Sequence, residues 1–284
     1  MSAYENCYWM SADGLKLHYR RYPGDDGRPP ILCLPGLTRN ARDYDAFAAR
    51  LAGRWRVLAL DFRGRGRSEY AKDPMTYVPA TYVADVQALL AEQGIDRFVA
   101  VGTSLGGIVT MLLAAAGADI AAALINDVGP EIDPAGIARI RGYVGKGSSC
   151  PTWMHAARAV ADSNADVYPD FKIEDWLAMA KRLYRLTSGG RIVPDYDLKI
   201  AEPFRVPGNE QGPDMWGALS ALRAVPTLIV RGGRSDVLAA PVAERMVQAL
   251  DRADLVTLPR VGHAPTLSEE PLRAPIDRWL EQAA

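Results

Sequence analysis

The pentapeptide Gly102-Thr-Ser-Leu-Gly106 constrains this 284-residue chain more than any other stretch. Residues 97–101 read as a short buried strand and 108–116 as an apolar helix, so the chain must pass from strand to helix through a few small residues. The pattern G-x-S-x-G is one in which a serine occupies a strained turn, its hydroxyl projecting above a sheet. Glycine is needed two residues to either side, because a side chain there would meet the neighbouring strand and helix. Ser104 is therefore a candidate nucleophile whose context must decide.

That context is an alternation of strands and helices. Ile31–Leu34 is a continuous apolar run, as expected of a strand covered on both faces. Residues 42–51 read as a helix, 55–60 as a strand, 81–93 as an amphipathic helix closed by Gly94, and 120–125 as a further strand. The rhythm then breaks and resumes with a strand at 225–230, a helix at 240–250, a strand at 254–258 and a last helix at 271–282. The expected fold class is α/β, a mostly parallel doubly wound sheet. Residues 1–130 and 215–284 form its core, and 131–214, with helix-like pieces at 153–161 and 174–186, reads as a helical insertion. Residues 14–22 alternate apolar and polar residues like a strand with one wet face, and His18 reads as an ordinary member of it. The loop Asp61-Phe-Arg-Gly-Arg-Gly-Arg-Ser68 carries three arginines but matches no phosphate-binding fingerprint, and reads as a tight turn with solvated charges.

Composition narrows the function classes. With 33 basic and 34 acidic residues, nothing favours nucleic acid or an anionic membrane as partner, which leaves a small-molecule substrate. Three cysteines without C-x-x-C spacing indicate neither a disulfide framework nor a zinc site, and no metal is expected. No apolar run has the length of a membrane span and the first residues lack a secretory pattern, so a soluble, cytoplasmic protein is expected. Oligomeric state is not legible.

Open parallel sheets bind ligands beyond the carboxyl ends of their strands, and Ser104, Asp236 and His263 each follow a predicted strand. Their order, Ser then Asp then His, is the one expected of a serine hydrolase on such a sheet. A serine hydroxyl needs a base, here His263, and a carboxylate on the other ring nitrogen to fix the tautomer. Asp236, presented by the turn Gly232-Gly-Arg-Ser-Asp236, is the expected carboxylate, and Asp127, after the strand that follows the nucleophile, is its rival. The backbone N–H groups of Leu105 and of Leu37, in the loop after Leu34, are the expected oxyanion donors.

With Gly102-Thr-Ser-Leu-Gly106, the Asp61–Ser68 loop, Arg231-Gly-Gly-Arg-Ser-Asp236 and Gly262-His263 assembled, the chain resembles the α/β-hydrolase superfamily, in particular its cap-bearing esterase, enol-lactonase and carbon–carbon hydrolase branch. Many members carry His-Gly where this chain has Pro35-Gly36. The resemblance implies that 131–214 is a helical cap over the serine, with Trp153, Tyr168, Phe171, Trp176 and Tyr184 as candidate pocket walls and Arg139, Arg141, Arg185 and Arg205 as candidate clamps for a substrate carboxylate. It implies a cofactor-free enzyme cleaving a small carboxylic ester or lactone through an acyl-enzyme. Hydrolysis of a carbon–carbon bond in a ring-cleavage diketone, or a silent ligand receptor on the same fold, are the alternatives.

Overall fold

The computed structural model describes residues 4–147, 149–206 and 213–283. Two strands, β1 (Glu5–Met10) and β2 (Lys16–Tyr22), form an antiparallel hairpin at one edge of an eight-stranded sheet. The interior follows with β3 (Ile31–Leu34), β4 (Val57–Asp61), β5 (Arg97–Thr103) and β6 (Asp119–Asn126), and later β9 (Thr227–Gly232) and β10 (Ala253–Leu258). The order across the sheet is β1-β2-β4-β3-β5-β6-β9-β10, parallel from β4 onward. Every residue of β3 and β4 is buried, as a strand covered by helices on both faces requires.

Two apolar layers flank the sheet. On one face α2 (Pro79–Gln93) and α3 (Leu105–Ala115) pack, with α7 (Met215–Ser220) and α8 (Ala240–Ala249) beside them. The other face buries α1 (Asp45–Leu51) and α9 (Arg273–Glu281) through Phe47, Leu51, Ile276 and Trp279. Gly94 closes α2 as the sequence suggests, taking a left-handed φ of 61°, while the helix starts two residues earlier than expected, at Pro79. The helix expected over 42–51 begins as a short 3-10 turn, Ala41–Tyr44, capped by the Asn40 side chain.

Between β6 and α7 lie α4 (Pro134–Tyr143), α5 (Trp153–Asn164) and α6 (Ile173–Leu183), then the strands β7 (Tyr184–Leu186) and β8 (Ile192–Pro194). The expected continuation of the helix to residue 186 is thus corrected: Tyr184 is already extended and pairs with Pro194 across a hairpin turned by Gly189-Gly190. Helices α5 and α6 enclose their own apolar cluster, built on Val160, Trp176 and Met179.

Two further expectations change. His18 is buried, 1% exposed, with Nδ1 2.7 Å from Asp61 Oδ2 and Nε2 2.9 Å from Asn6 Oδ1, because β1 and the loop after β4 cover the face expected to be wet. Of that loop's three arginines, Arg67 is exposed as expected, but the other two are not solvated. Arg63 is buried against Asp85 and Asp13, and Arg65 is fully enclosed. Burial of a guanidinium is costly unless its donors are used, and here most bind the surrounding framework, although Arg65 Nη2 is buried without a hydrogen-bond partner among the described residues.

The glycines differ in what they permit. A Cβ on Gly106 would stand 1.9 Å from the Leu34 carbonyl oxygen, whereas one on Gly142, exposed in α4, meets nothing within 4 Å. Gly106→Ala is therefore expected to lower unfolding free energy by about 3 kcal/mol, and Gly142→Ala to raise it by about 0.5–1 kcal/mol through helix propensity. Urea denaturation of the two variants measures both.

Candidate active site

The turn between β5 and α3 sets the site. Ser104 takes φ 52° and ψ −117°, a conformation that costs an L-residue steric energy and projects its side chain away from the sheet. Close packing holds it there. A Cβ on Gly102 would lie 2.3 Å from the Gly106 carbonyl oxygen, so strand, turn and helix approach more closely than alanine would permit. The Ser104 carbonyl accepts from the N–H groups of Gly107, at 2.8 Å, and Ile108, at 3.2 Å, which opens α3 beneath it.

A hydrogen-bonded chain runs from this serine. Ser104 Oγ is 2.9 Å from His263 Nε2, and His263 Nδ1 is 2.8 Å from Asp127 Oδ2. With the ring proton on Nδ1, His263 donates to Asp127 and accepts from the serine hydroxyl, the arrangement a general base requires. Asp127 is fully buried, and its other oxygen accepts from Gly232 N–H at 2.8 Å.

This corrects the expected carboxylate: His263 is paired with Asp127 and not with Asp236. Strand β6 lies directly between β5 and β9, so a residue at its end adjoins Ser104 on one side and the histidine loop on the other. Asp127 follows that end immediately and turns inward with φ 56°, a left-handed conformation that aspartate enters more readily than most residues. Asp236 stands four residues beyond β9. Its carboxylate is gripped by Arg139 of α4, with Nη2 donating to Oδ1 at 2.8 Å and Nε to Oδ2. That pairing holds the Asp236 carboxyl below the usual carboxylate range, ahead of the opposing effect of its partial burial.

The two N–H groups expected as oxyanion donors, Leu105 N–H at the start of α3 and Leu37 N–H after Gly36, are free of protein partners among the described residues. A Cβ on Gly36 would be 3.7 Å from Ser104 Cβ, so this loop lies against that serine. Sequence reading missed what steadies it. Arg65 Nε donates to the Leu37 carbonyl at 2.9 Å, and Arg65 Nη1 donates to the Arg63 carbonyl at 2.7 Å. Asn126 was equally hidden; its Nδ2 donates to Thr103 Oγ1 at 3.0 Å and to the Pro265 carbonyl at 2.8 Å, tying β5, β6 and the histidine loop together.

Above Ser104 and His263 opens a cavity of about 380 Å³, roofed by residues of the 131–214 segment. Tyr168 and Tyr184, both expected walls, line it, as do Tyr143 and Tyr196. Trp176 does not: it packs edge-on against Phe171 and Tyr168, 7% exposed, in the apolar cluster of α5 and α6, and Trp153 packs against the same cluster. Among the candidate clamps Arg139 lines the cavity, whereas Arg185 turns to Asp195 at 3.4 Å; Arg141 and Arg205 are exposed. Tyr168 Oη donates to the Ala264 carbonyl at 2.6 Å, Gly262 N–H to the Val167 carbonyl at 2.8 Å and Arg260 Nε to Asp170 Oδ2 at 2.7 Å, fastening this segment to the histidine loop. Among the described residues no helix is long and apolar enough to cross a membrane.

Known proteins share this arrangement of chain. The 3-hydroxybutyrate-oligomer hydrolase of Cupriavidus necator is 33% identical over 254 residues, 86% of this chain and 85% of its own. N-formylmaleamate deformylase of Pseudomonas putida is 37% identical over 109 residues, 38% of this chain and 40% of its own. The crystal structure of an alpha/beta hydrolase from Novosphingobium aromaticivorans superposes with a TM-score of 0.95 at 59% identity, covering 99% of each chain. The profile of the alpha/beta hydrolase family matches residues 31–275, and together with the sheet order and the serine turn this establishes that the chain belongs to the alpha/beta hydrolase family.

Proposed function

We propose that the protein is a serine hydrolase of small carboxylic esters acting through an acyl-enzyme. One observation carries the reading: the unbroken hydrogen-bonded chain Ser104–His263–Asp127 at the floor of a partly open cavity, with two uncommitted backbone N–H groups beside it. The full-length similarity to a hydrolase of 3-hydroxybutyrate oligomers supports an ester, since oligomers of a hydroxy acid are joined by ester bonds.

Ser104 Oγ attacks the carbonyl carbon while His263 Nε2 takes its proton, and Asp127 steadies the imidazolium across Nδ1–H. The carbonyl oxygen becomes an oxyanion, which the N–H groups of Leu37 and Leu105 bind; removal of one such donor typically costs about 10²–10³ in rate. Collapse breaks the bond to the alcohol, and His263 returns the proton to that oxygen as it leaves. Water then enters, gives its proton to His263 and attacks the acyl carbon, and breakdown restores the serine hydroxyl with release of the acid.

Fluorophosphonate labelling read by intact mass and peptide mapping tests the nucleophile without a known substrate. Stoichiometric modification at Ser104, absent in Ser104→Ala and in His263→Ala, is the expected result; folded wild-type protein that does not react contradicts the proposal. The choice of carboxylate is tested by kcat on a short p-nitrophenyl ester. Asp127→Asn is expected to lower it by about 10³–10⁴, as loss of the orienting acid does elsewhere, and Asp236→Asn by less than about tenfold. The reverse ranking would return the role to Asp236.

A further inference from the structure

The cavity over Ser104 carries more positive than negative charge. Its lining holds Arg39, Arg139, Arg182 and Lys146 against one carboxylate, Asp43. Three further carboxylates stand behind the lining, each already engaged: Asp236 by Arg139, Asp127 by His263 and the Gly232 N–H, and Glu269 by Thr266.

Arg39 is the cation built into the floor. It shares the loop of Leu37, its N–H donates to the Gly36 carbonyl at 3.1 Å, and a Cβ on Gly36 would lie 3.2 Å from Arg39 Cγ and 3.7 Å from Ser104 Cβ. The stem of this arginine and the nucleophile therefore flank the same glycine. Its head is directed by Asp43, which receives Nε and, at 2.9 Å, Nη2, leaving Nη1 without a protein partner among the described residues and open to solvent. Asp43 is itself shared, since Arg182 Nε stands 3.5 Å from its Oδ1, so two guanidiniums face one carboxylate. The end of α6 that carries Arg182 is held in place by Asn40 Nδ2 and Arg42 Nε, both donating to the Arg182 carbonyl at 2.9 Å. At the rim Lys146 is exposed and makes no ion pair among the described residues.

Unused donors on fixed cations, in a cleft walled by protein, favour an anion, and a planar carboxylate matches the guanidinium best. We propose that the substrate is an ester bearing a free carboxylate, which Arg39 and Arg182 receive inside the cavity and Lys146 draws in from the rim. This deepens, and rests on, the reading of Ser104 as the nucleophile of an ester hydrolase. Asp43 has a positioning role: it aims Arg39 and shields the pair of guanidiniums from each other until the substrate arrives.

Two matched ester pairs, each exchanging a carboxylate for an isopropyl group, test the inference on the wild-type enzyme. Charge on the acyl side is read with the p-nitrophenyl esters of monoglutarate and of 5-methylhexanoate, and charge on the alcohol side with the butanoates of glycolate and of isobutanol. The charged member of at least one pair is expected to have a kcat/KM at least tenfold higher. That ratio should fall at least fivefold in Arg39→Gln and in Lys146→Ala, the second being an exposed position whose substitution leaves folding intact, and should persist in Arg223→Gln on the far surface. Absence of a preference in both pairs, with Ser104 still labelled by fluorophosphonate, overturns the inference and leaves the hydrolase reading standing. A preference that both variants retain overturns the assignment to these cations. Failure of Ser104 to label overturns the hydrolase reading and the inference with it.

Discussion

The contact between the backbone of Gly106 and the carbonyl of Leu34 sets the geometry on which the site depends. At that contact the first turn of α3 rests directly on β3, leaving no room for a side chain. The strand-to-helix turn is thereby compressed until Ser104 must adopt a positive φ, and the strain is held by the packing of the fully buried strand β3. Two consequences follow from one constraint: the serine hydroxyl stands clear of the sheet, and the N–H of Leu105 is left facing the same space, because a residue at the start of a helix has no partner within it.

Sheet order then decides which carboxylate serves the histidine. Residues that follow β5, β6 and β10 converge because β6 is the neighbour of β5 and β9 is the neighbour of both β6 and β10. Asp127 is held from three directions, by its N–H to Val230, by Gly232 and by His263, so its carboxylate is buried with its hydrogen bonds satisfied. Asp236 serves the architecture instead, joining α4 to the loop after β9 through Arg139 and so linking the roof of the cavity to its base. Buried charge recurs in the loop after β4, where Arg65, enclosed between the rings of Tyr77 and Tyr82, braces the carbonyl of Leu37.

Much of this was legible in the chain because its signals are local. Buried strands read as continuous apolar runs, helix ends carry proline and glycine, and the serine turn is written within five residues. The carboxylate was not, since Ser-Asp-His order is satisfied by Asp127 and Asp236 alike. A finer signal existed: Asp127 abuts its strand directly, whereas Asp236 is set off by a turn. Arg63 and Arg65 looked solvated for a similar reason, because their partners Asp13, Asp85 and Tyr82 lie far away in sequence. Trp176 looked like a pocket wall because composition cannot tell the inside of a helical pair from the face it turns to a cavity.

The central claim, that Asp127 holds His263 for Ser104, is tested most directly by proton NMR of the protein labelled with 15N at its three histidines. A strongly downfield Nδ1–H resonance is expected from His263, alongside one from His18, whose Nδ1 adjoins Asp61, and the His263→Ala variant assigns them. The His263 resonance is predicted to disappear or move far upfield in Asp127→Asn and to persist in Asp236→Asn. Its persistence in Asp127→Asn together with its loss in Asp236→Asn would contradict the claim.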